Sequence, residues 1–228
     1  TLLDSSASAT AHIPTSASDS TGWQAANFDD SSWLTGTTGV GYENSSGYDS
    51  LIGLDVLAMR NVNQSVYIRV PFSVDDASSL GSLTLKMKYD DGFAAYLNGS
   101  LVASQNVSGT LAWNSGGNNH SDGAAALFEE FDISSHAGSL NEGVNVLAIH
   151  GLNGSLSSSD LIFMPKIEAT LLDGGIEVSA LGLLSSPTPG SINASVTYAG
   201  NVDTPIATPS RGFFNAPFSV TLSNPTEA

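Results

Sequence analysis

The 228-residue sequence predicts an all-β fold of stacked antiparallel strands, and three observations carry that prediction. Helical periodicity is nearly absent, apolar and polar residues alternate in several runs, and turn residues recur at short intervals. Alternation places one row of side chains on each face of a strand. Many turns with few helices suit a sandwich or a barrel.

The elements follow in chain order. Residues 1–50 are rich in Ser, Thr and Gly and carry Trp23, Phe28, Trp33, Tyr42 and Tyr48, so they read as a long irregular stretch pinned by rings. Trp23 and Trp33 are expected in the core. Residues 65–74 alternate Val66, Ile68, Val70 and Phe72 on one face. Residues 82–90 set Leu83, Leu85, Met87 and Tyr89 against Lys86 and Lys88. Residues 93–104 form a hairpin in which Asn98-Gly99 supplies a turn that tolerates positive φ. Segment 124–132 is the best short helix candidate. Residues 144–152 are nearly all apolar, as a central strand covered on both faces should be. Residues 162–172 read as the last strand. Beyond Leu172, most of the nine prolines gather, and 173–228 reads as connectors and short edge strands.

Charge narrows the partners. Twenty-two acidic residues face six basic ones, for a net charge of −16. A phosphate backbone is repelled, which argues against nucleic acid, and an anionic membrane is disfavoured in the same way. Hard divalent cations and neutral ligands are compatible, although acidity also simply keeps an exported protein in solution. No apolar run approaches the length of a membrane span. There is no cysteine, which excludes thiolate metal sites and thiol nucleophiles. A first residue Thr1, with scarce Lys and Glu, suggests a secreted or cell-surface protein whose leader has been removed or lies outside this sequence. Seven N-x-S/T sequons are mostly a product of composition.

Three patches read together resemble a family. They are W-x4-FDDSSW (23–33) with GVGYE (39–43), YDDGFAAYLNG (89–99), and GVNVLAIHGLN with SSSD (143–160). In that order they resemble the galactose-binding-like jelly rolls found in β-galactosidases and as carbohydrate-binding modules of secreted bacterial proteins. The resemblance covers 1–172 and implies an antiparallel jelly-roll β-sandwich. PTPGSIN (187–193) and 209–228 resemble the lead-in to a chitobiase/β-hexosaminidase C-terminal-type sandwich, which implies a linker and an incomplete β tail over 173–228.

Asp90-Asp91-Gly92 is the sharpest local feature. Adjacent carboxylates at a strand end converge on one point, as a hard cation bound by oxygens requires. The stretch also resembles the DDG-x-x-x-Y-x-x-G of PA14-type domains, which implies Ca²⁺ on such residues. Equally, both residues can cap a turn. Asp29-Asp30 forms a second pair. The resemblance implies a structural Ca²⁺ there with an acid from the last strand, Glu168 or Asp160, while an Asx turn aiming Trp33 inward is the alternative. His150, Asn153 and Asp160 lie where a jelly-roll edge binds hydroxyls, or form a polar network that pins the loop. Trp113, in the polar loop 109–123, can stack on a pyranose or plug one end of the sandwich. Asn98 at the hairpin tip joins the ligand candidates. His120 with Asp122 is a weaker metal pair.

No H-E-x-x-H, G-x-S-x-G or P-loop motif occurs. The resemblance therefore implies a non-catalytic carbohydrate-binding accessory module, supported by calcium. The alternative is a structural or adhesive extracellular module that assembles into an oligomer or fibre through its C-terminal β tail.

Overall fold

The computed structural model describes residues 1–171, together with 183–184, 197–198, 206–208 and 221–223. The chain divides into two units, Thr1–Gly174 and Gly175–Ala228. In the second, β12 (Leu183–Leu184) pairs with β13 (Thr197–Tyr198), and β14 (Ile206–Thr208) pairs with β15 (Thr221–Ser223). The rest of the Pro-rich segment, including the chitobiase-like lead-in at 187–193, lies outside the described residues.

The first unit is an antiparallel β-sandwich, as the sequence predicts. One sheet holds β1 (Ser8–His12), β2 (Leu34–Thr37), β5 (Ser65–Val74), β7 (Gly92–Leu97), β8 (Ser100–Gln105) and β10 (Gly143–Leu152). Their spatial order is β2-β1-β5-β10-β7-β8. The other holds β3 (Val40–Glu43), β4 (Leu54–Asp55), β6 (Leu80–Asp90), β9 (Glu129–Asp132) and β11 (Asp160–Leu171), ordered β4-β3-β11-β6-β9. Only the short β3–β4 pair is parallel among the described strands.

Alternation decides what lies between the sheets. Val66, Ile68, Val70 and Phe72 of β5 meet Leu83, Leu85, Met87 and Tyr89 of β6, with Leu147, Ile149, Leu161, Phe163 and Ile167 filling the layer. Burying a side chain of this size contributes roughly 1.5–3 kcal/mol, so the layer dominates stability. β10 is central and buried on both faces over most of its length, as its continuous apolar run requires. Pro71 and Pro165 are tolerated because neighbours pair on only one side of those residues: β1 reaches β5 over Tyr67–Arg69, and β3 reaches β11 over Asp160–Phe163.

Two satellite clusters cover the outer faces. Trp23 stacks on Tyr67 at 4.2 Å outside the six-stranded sheet, so it is buried there rather than between the sheets. Trp33 is half-buried and stacks on His12 at 5.2 Å. Tyr48, Ala125 and Ile162 pack outside the five-stranded sheet. The expected helix over 124–132 is instead one turn, α1 (Asp122–Ala125), followed by β9. Pairing of β9 with the edge of β6 supplies backbone hydrogen bonds that a short polar helix could not match. Among the described residues no helix is long and apolar enough to cross a membrane.

Candidate functional site

Residues 89–92 and 150–160 meet at one end of the sandwich. β6 and β11 run antiparallel with Asp90 opposite Ile162, so Asp160 is a diagonal neighbour of Asp90 on the same sheet face. That face points away from the core. Loop 45–52 and α1 cover it, and α1 brings its first residue, Asp122, to the same place. Carboxylate oxygens of Asp90, Asp122 and Asp160 all lie within 4.8 Å of one another. Asp90 is 3% exposed, Asp160 is half-buried, and Asp122 opens to solvent.

Among the described residues none of the three carboxylates forms an ion pair: those of Lys86, Lys166, Arg69 and His12 lie elsewhere, and Arg60 bonds the carbonyls of Ser157 and Ser158. The cluster is therefore electrostatically strained. Burial, with Asp91, Asp160 and Asp122 close by, pushes the Asp90 carboxyl up to about 9. Burial and the charges of Asp122 and Glu43 raise Asp160. Burial also raises the Tyr48 hydroxyl, helped by Asp90, Asp122 and Asp160. That hydroxyl donates to the Asp122 carbonyl at 3.4 Å.

Asp91 has a different role from its neighbour. Its Oδ1 accepts the His120 amide at 2.8 Å and its Oδ2 accepts the Gly154 amide at 2.6 Å. Its carbonyl accepts from Asn106 Nδ2 at 2.9 Å, and its amide donates to the Leu152 carbonyl at 3.1 Å. Gly154 permits the approach, since a Cβ there would sit 2.5 Å from Oδ2. Asp91 thus joins the end of β6 to the loops that carry Asp122 and Asp160.

The remaining sequence candidates are placed as follows. Asp29 caps the Ser31 amide at 3.0 Å, the Asx turn weighed above. Asp30 bonds Arg69 Nε and Thr10 Oγ1, both at 2.8 Å. Glu168 pairs with Lys166 and Lys86, which hold it down to about 2. These three carboxylates have protein partners and do not meet one another, so the structure does not assemble the expected cation set of Asp29, Asp30 and Glu168.

His150 is 3% exposed and bonds Ser65 Oγ at 2.8 Å, edge-on to Tyr67 and Trp23. Asn153 is buried and donates to the Tyr42 hydroxyl at 2.9 Å, so it pins the loop before Asp160. Asn98 sits at the far end of β7 from Gly92, with φ 50°, and bonds Asn145, Ser139 and Val146. Trp113 is half-buried, and its carbonyl accepts from Asn63 at 3.1 Å. His120 Nδ1 donates to the Tyr89 carbonyl at 2.9 Å and its ring stacks on Tyr89, while the group that converges with Asp122 is Asp90 and Asp160.

The sequence offers Asp122 only as a weak metal pair with His120, and Tyr48 only as a ring pinning the N-terminal stretch; neither is joined there to Asp90 and Asp160. The one available signal for Asp122 was its place after a Gly/Asn loop, which carries no information about which strand that loop crosses.

No family model matches the chain, and no curated protein matches it. Several solved glycosidases are similar over the first unit. A calcium-binding mutant of Bacteroides uniformis β-glucuronidase 2 is 12% identical, with TM-score 0.42, over 69% of this chain and 17% of that one. An uncultured Clostridium β-glucuronidase is 12% identical, with TM-score 0.42, over 73% of this chain and 33% of that one. A Bacteroides vulgatus β-glycosidase is 12% identical, with TM-score 0.38, over 72% and 20%. This chain therefore spans at most about a third of any of these three. At that level the likeness assigns it no activity.

Proposed function

We propose that this chain is a non-catalytic carbohydrate-binding accessory module of an exported bacterial protein, and that Asp90, Asp122 and Asp160 hold a Ca²⁺ ion. The observation that supports it is the convergence of three carboxylates from β6, α1 and β11 within 4.8 Å, none of which forms an ion pair among the described residues.

The donor set fits the ion. Hard cations take carboxylate oxygens, and two oxygens on opposite sides of Ca²⁺ stand about 4.6–5.2 Å apart. All three acids therefore fit one coordination sphere. Three carboxylates leave part of the usual six to eight positions for water or for vicinal hydroxyls of a sugar. The solvent side is Asp122, so a ligand would arrive there. A bound divalent charge would also let the buried Asp90 ionise, a change that burial and its neighbours otherwise oppose. Asp91 has no part in ligation on this reading: its oxygens are occupied by backbone amides and it acts as the brace.

The adhesive alternative depends on the C-terminal tail, and no described residue favours it.

Calorimetric titration of CaCl₂ into EDTA-treated protein tests the cation, and a neutral-glycan array run in Ca²⁺ and in EDTA tests the ligand. Saturable Ca²⁺ binding that disappears in Asp122→Asn, with glycan signals that strengthen in Ca²⁺ over EDTA, is the expected result. No Ca²⁺ heat, or the same heat in Asp122→Asn, would overturn the metal assignment; a blank array would overturn the carbohydrate assignment.

A further inference from the structure

We propose a second ligand site on the outer face of the six-stranded sheet, a cavity of about 410 Å³ between β7, β8 and loop 106–111, and that it takes a neutral pyranose. This extends the carbohydrate reading to a second place and does not depend on the cation.

The cavity follows from how unevenly that face is covered. Residues 20–33 fold over β1, β5 and β10, where Trp23 and its neighbours bury Tyr67, Val146 and Ala148. They reach β7 at Tyr96 and the β7–β8 turn at Gly99, and the cavity opens beyond that edge. There the chain leaves β8, and 107–111 turn back as a wall over the same face. The volume is that of a small-ligand pocket, about 300–1,000 Å³.

Its lining has a definite chemistry. Tyr96 points outward from β7, while its neighbours Ala95 and Leu97 point into the core. Trp23 stands edge-on behind the Tyr96 ring at 5.9 Å, which sets that ring's orientation. Leu101 (51% exposed), Val107 and Leu111 add apolar surface. Among the described residues, the hydroxyls of Tyr96, Ser104 and Thr110 make no hydrogen bond to protein groups. No charged side chain lines the cavity, although the chain carries −16. An ionic ligand finds no counter-charge there. A wholly apolar ligand would leave three hydroxyls facing it. A pyranose matches both properties: its C–H face lies on an aromatic or aliphatic surface and its rim hydroxyls pair with hydroxyls.

The test is nuclear magnetic resonance titration of the full chain in EDTA with methyl β-D-galactopyranoside, methyl β-D-glucopyranoside and cellotetraose. At least one should shift the amides of Tyr96, Leu101 and Thr110 in a saturable way. Tyr96→Phe keeps the packing on Trp23 and removes one hydrogen bond, so affinity should fall roughly fivefold. Leu101→Glu, on an exposed edge strand, should abolish binding with the melting temperature unchanged. No saturable shift at these residues, or equal affinity in Leu101→Glu, would overturn the proposal. Sugar shifts confined to the loops of Asp90, Asp122 and Asp160, and only with Ca²⁺, would overturn this site and leave the cation-dependent reading intact. Shifts here in EDTA without any Ca²⁺ binding would support this site and sink the other.

Discussion

The carboxylate of Asp91 accepts the backbone amide of Gly154 at 2.6 Å across 63 residues of chain. Its second oxygen takes the amide of His120. One side chain thus sets the spacing of the three segments that deliver Asp90, Asp122 and Asp160. Adjacent residues of the same type divide the work: Asp90 faces the cluster and Asp91 holds the loops that form it.

Removing the brace should therefore cost both stability and cation affinity. Hydrogen bonds to a charged group contribute about 1.5–3 kcal/mol each. Asp91→Ala loses two and leaves two amides unpaired in a half-buried place. A loss of about 3 kcal/mol or more in urea unfolding is expected on that count. Asp91→Asn retains one acceptor and should fall between, with weaker Ca²⁺ binding by calorimetry. An Asn variant with native affinity would show that the loops are set by other contacts.

The cluster itself makes the opposite prediction for stability. Asp122 is exposed and repels two partly buried acids. Asp122→Asn should leave the metal-free protein as stable as before or slightly more so. Calcium at a hundredfold excess over Kd should stabilise the native chain by about 2.7 kcal/mol. For a domain of this size that is a rise in melting temperature of roughly 5–10 °C. The rise should vanish in Asp122→Asn. Scanning calorimetry of both proteins in Ca²⁺ and in EDTA gives all four values.

Much of the sandwich was legible because strand alternation is local. The faces of β5 and β6, the Asn98-Gly99 turn and the doubly buried β10 follow from residues within one run. Asp90 and Asp160 were legible as acids at strand ends. The place of Asp122 beside them was not, because it depends on a loop returning over the outer face of a sheet, and no short-range pattern encodes that return. Asp29 and Asp30 illustrate the converse. The pair looked like a cation site, yet its partner Arg69 lies 39 residues away in β5, inside a run that otherwise reads as apolar alternation.

His150 gives a pH dependence with a definite sign. Burial lowers its imidazole to about 4 from the ordinary 6.5. Its neighbours are the Ser65 hydroxyl and the rings of Tyr67 and Trp23, none of them a carboxylate. A depressed value means that the unfolded chain binds the proton first. The stability that the neutral ring provides is complete above about pH 6.5 and is lost as pH falls toward about 4, up to about 3 kcal/mol. His150→Gln can still bond Ser65 and cannot titrate. Its urea-unfolding free energy should fall less than the native protein's between those pH values. Parallel curves would show that His150 is protonated in the fold.

Arg69 is the strongest test of how the N-terminal stretch is held. The side chain is 2% exposed. Its Nε bonds Asp30, and its other nitrogens reach the carbonyls of Trp23, Ala25, Ala26 and Phe28 at 2.5–3.4 Å. Five acceptors from one loop converge on one guanidinium, which is the largest donor to the loop at that point. Removing the guanidinium leaves carbonyls of a half-buried loop without their donor, at about 1–3 kcal/mol for each that stays unpaired. Arg69→Met should show that loss in urea unfolding, with Trp23 fluorescence moving toward the solvent-exposed range. Lysine cannot replace the fork, since one ammonium cannot span acceptors spread along the loop. Asp30→Asn should cost less, because Thr10 and the four carbonyls remain bonded. If Arg69→Lys matched the native protein, the loop would be held by the Trp23–Tyr67 stack instead of the guanidinium.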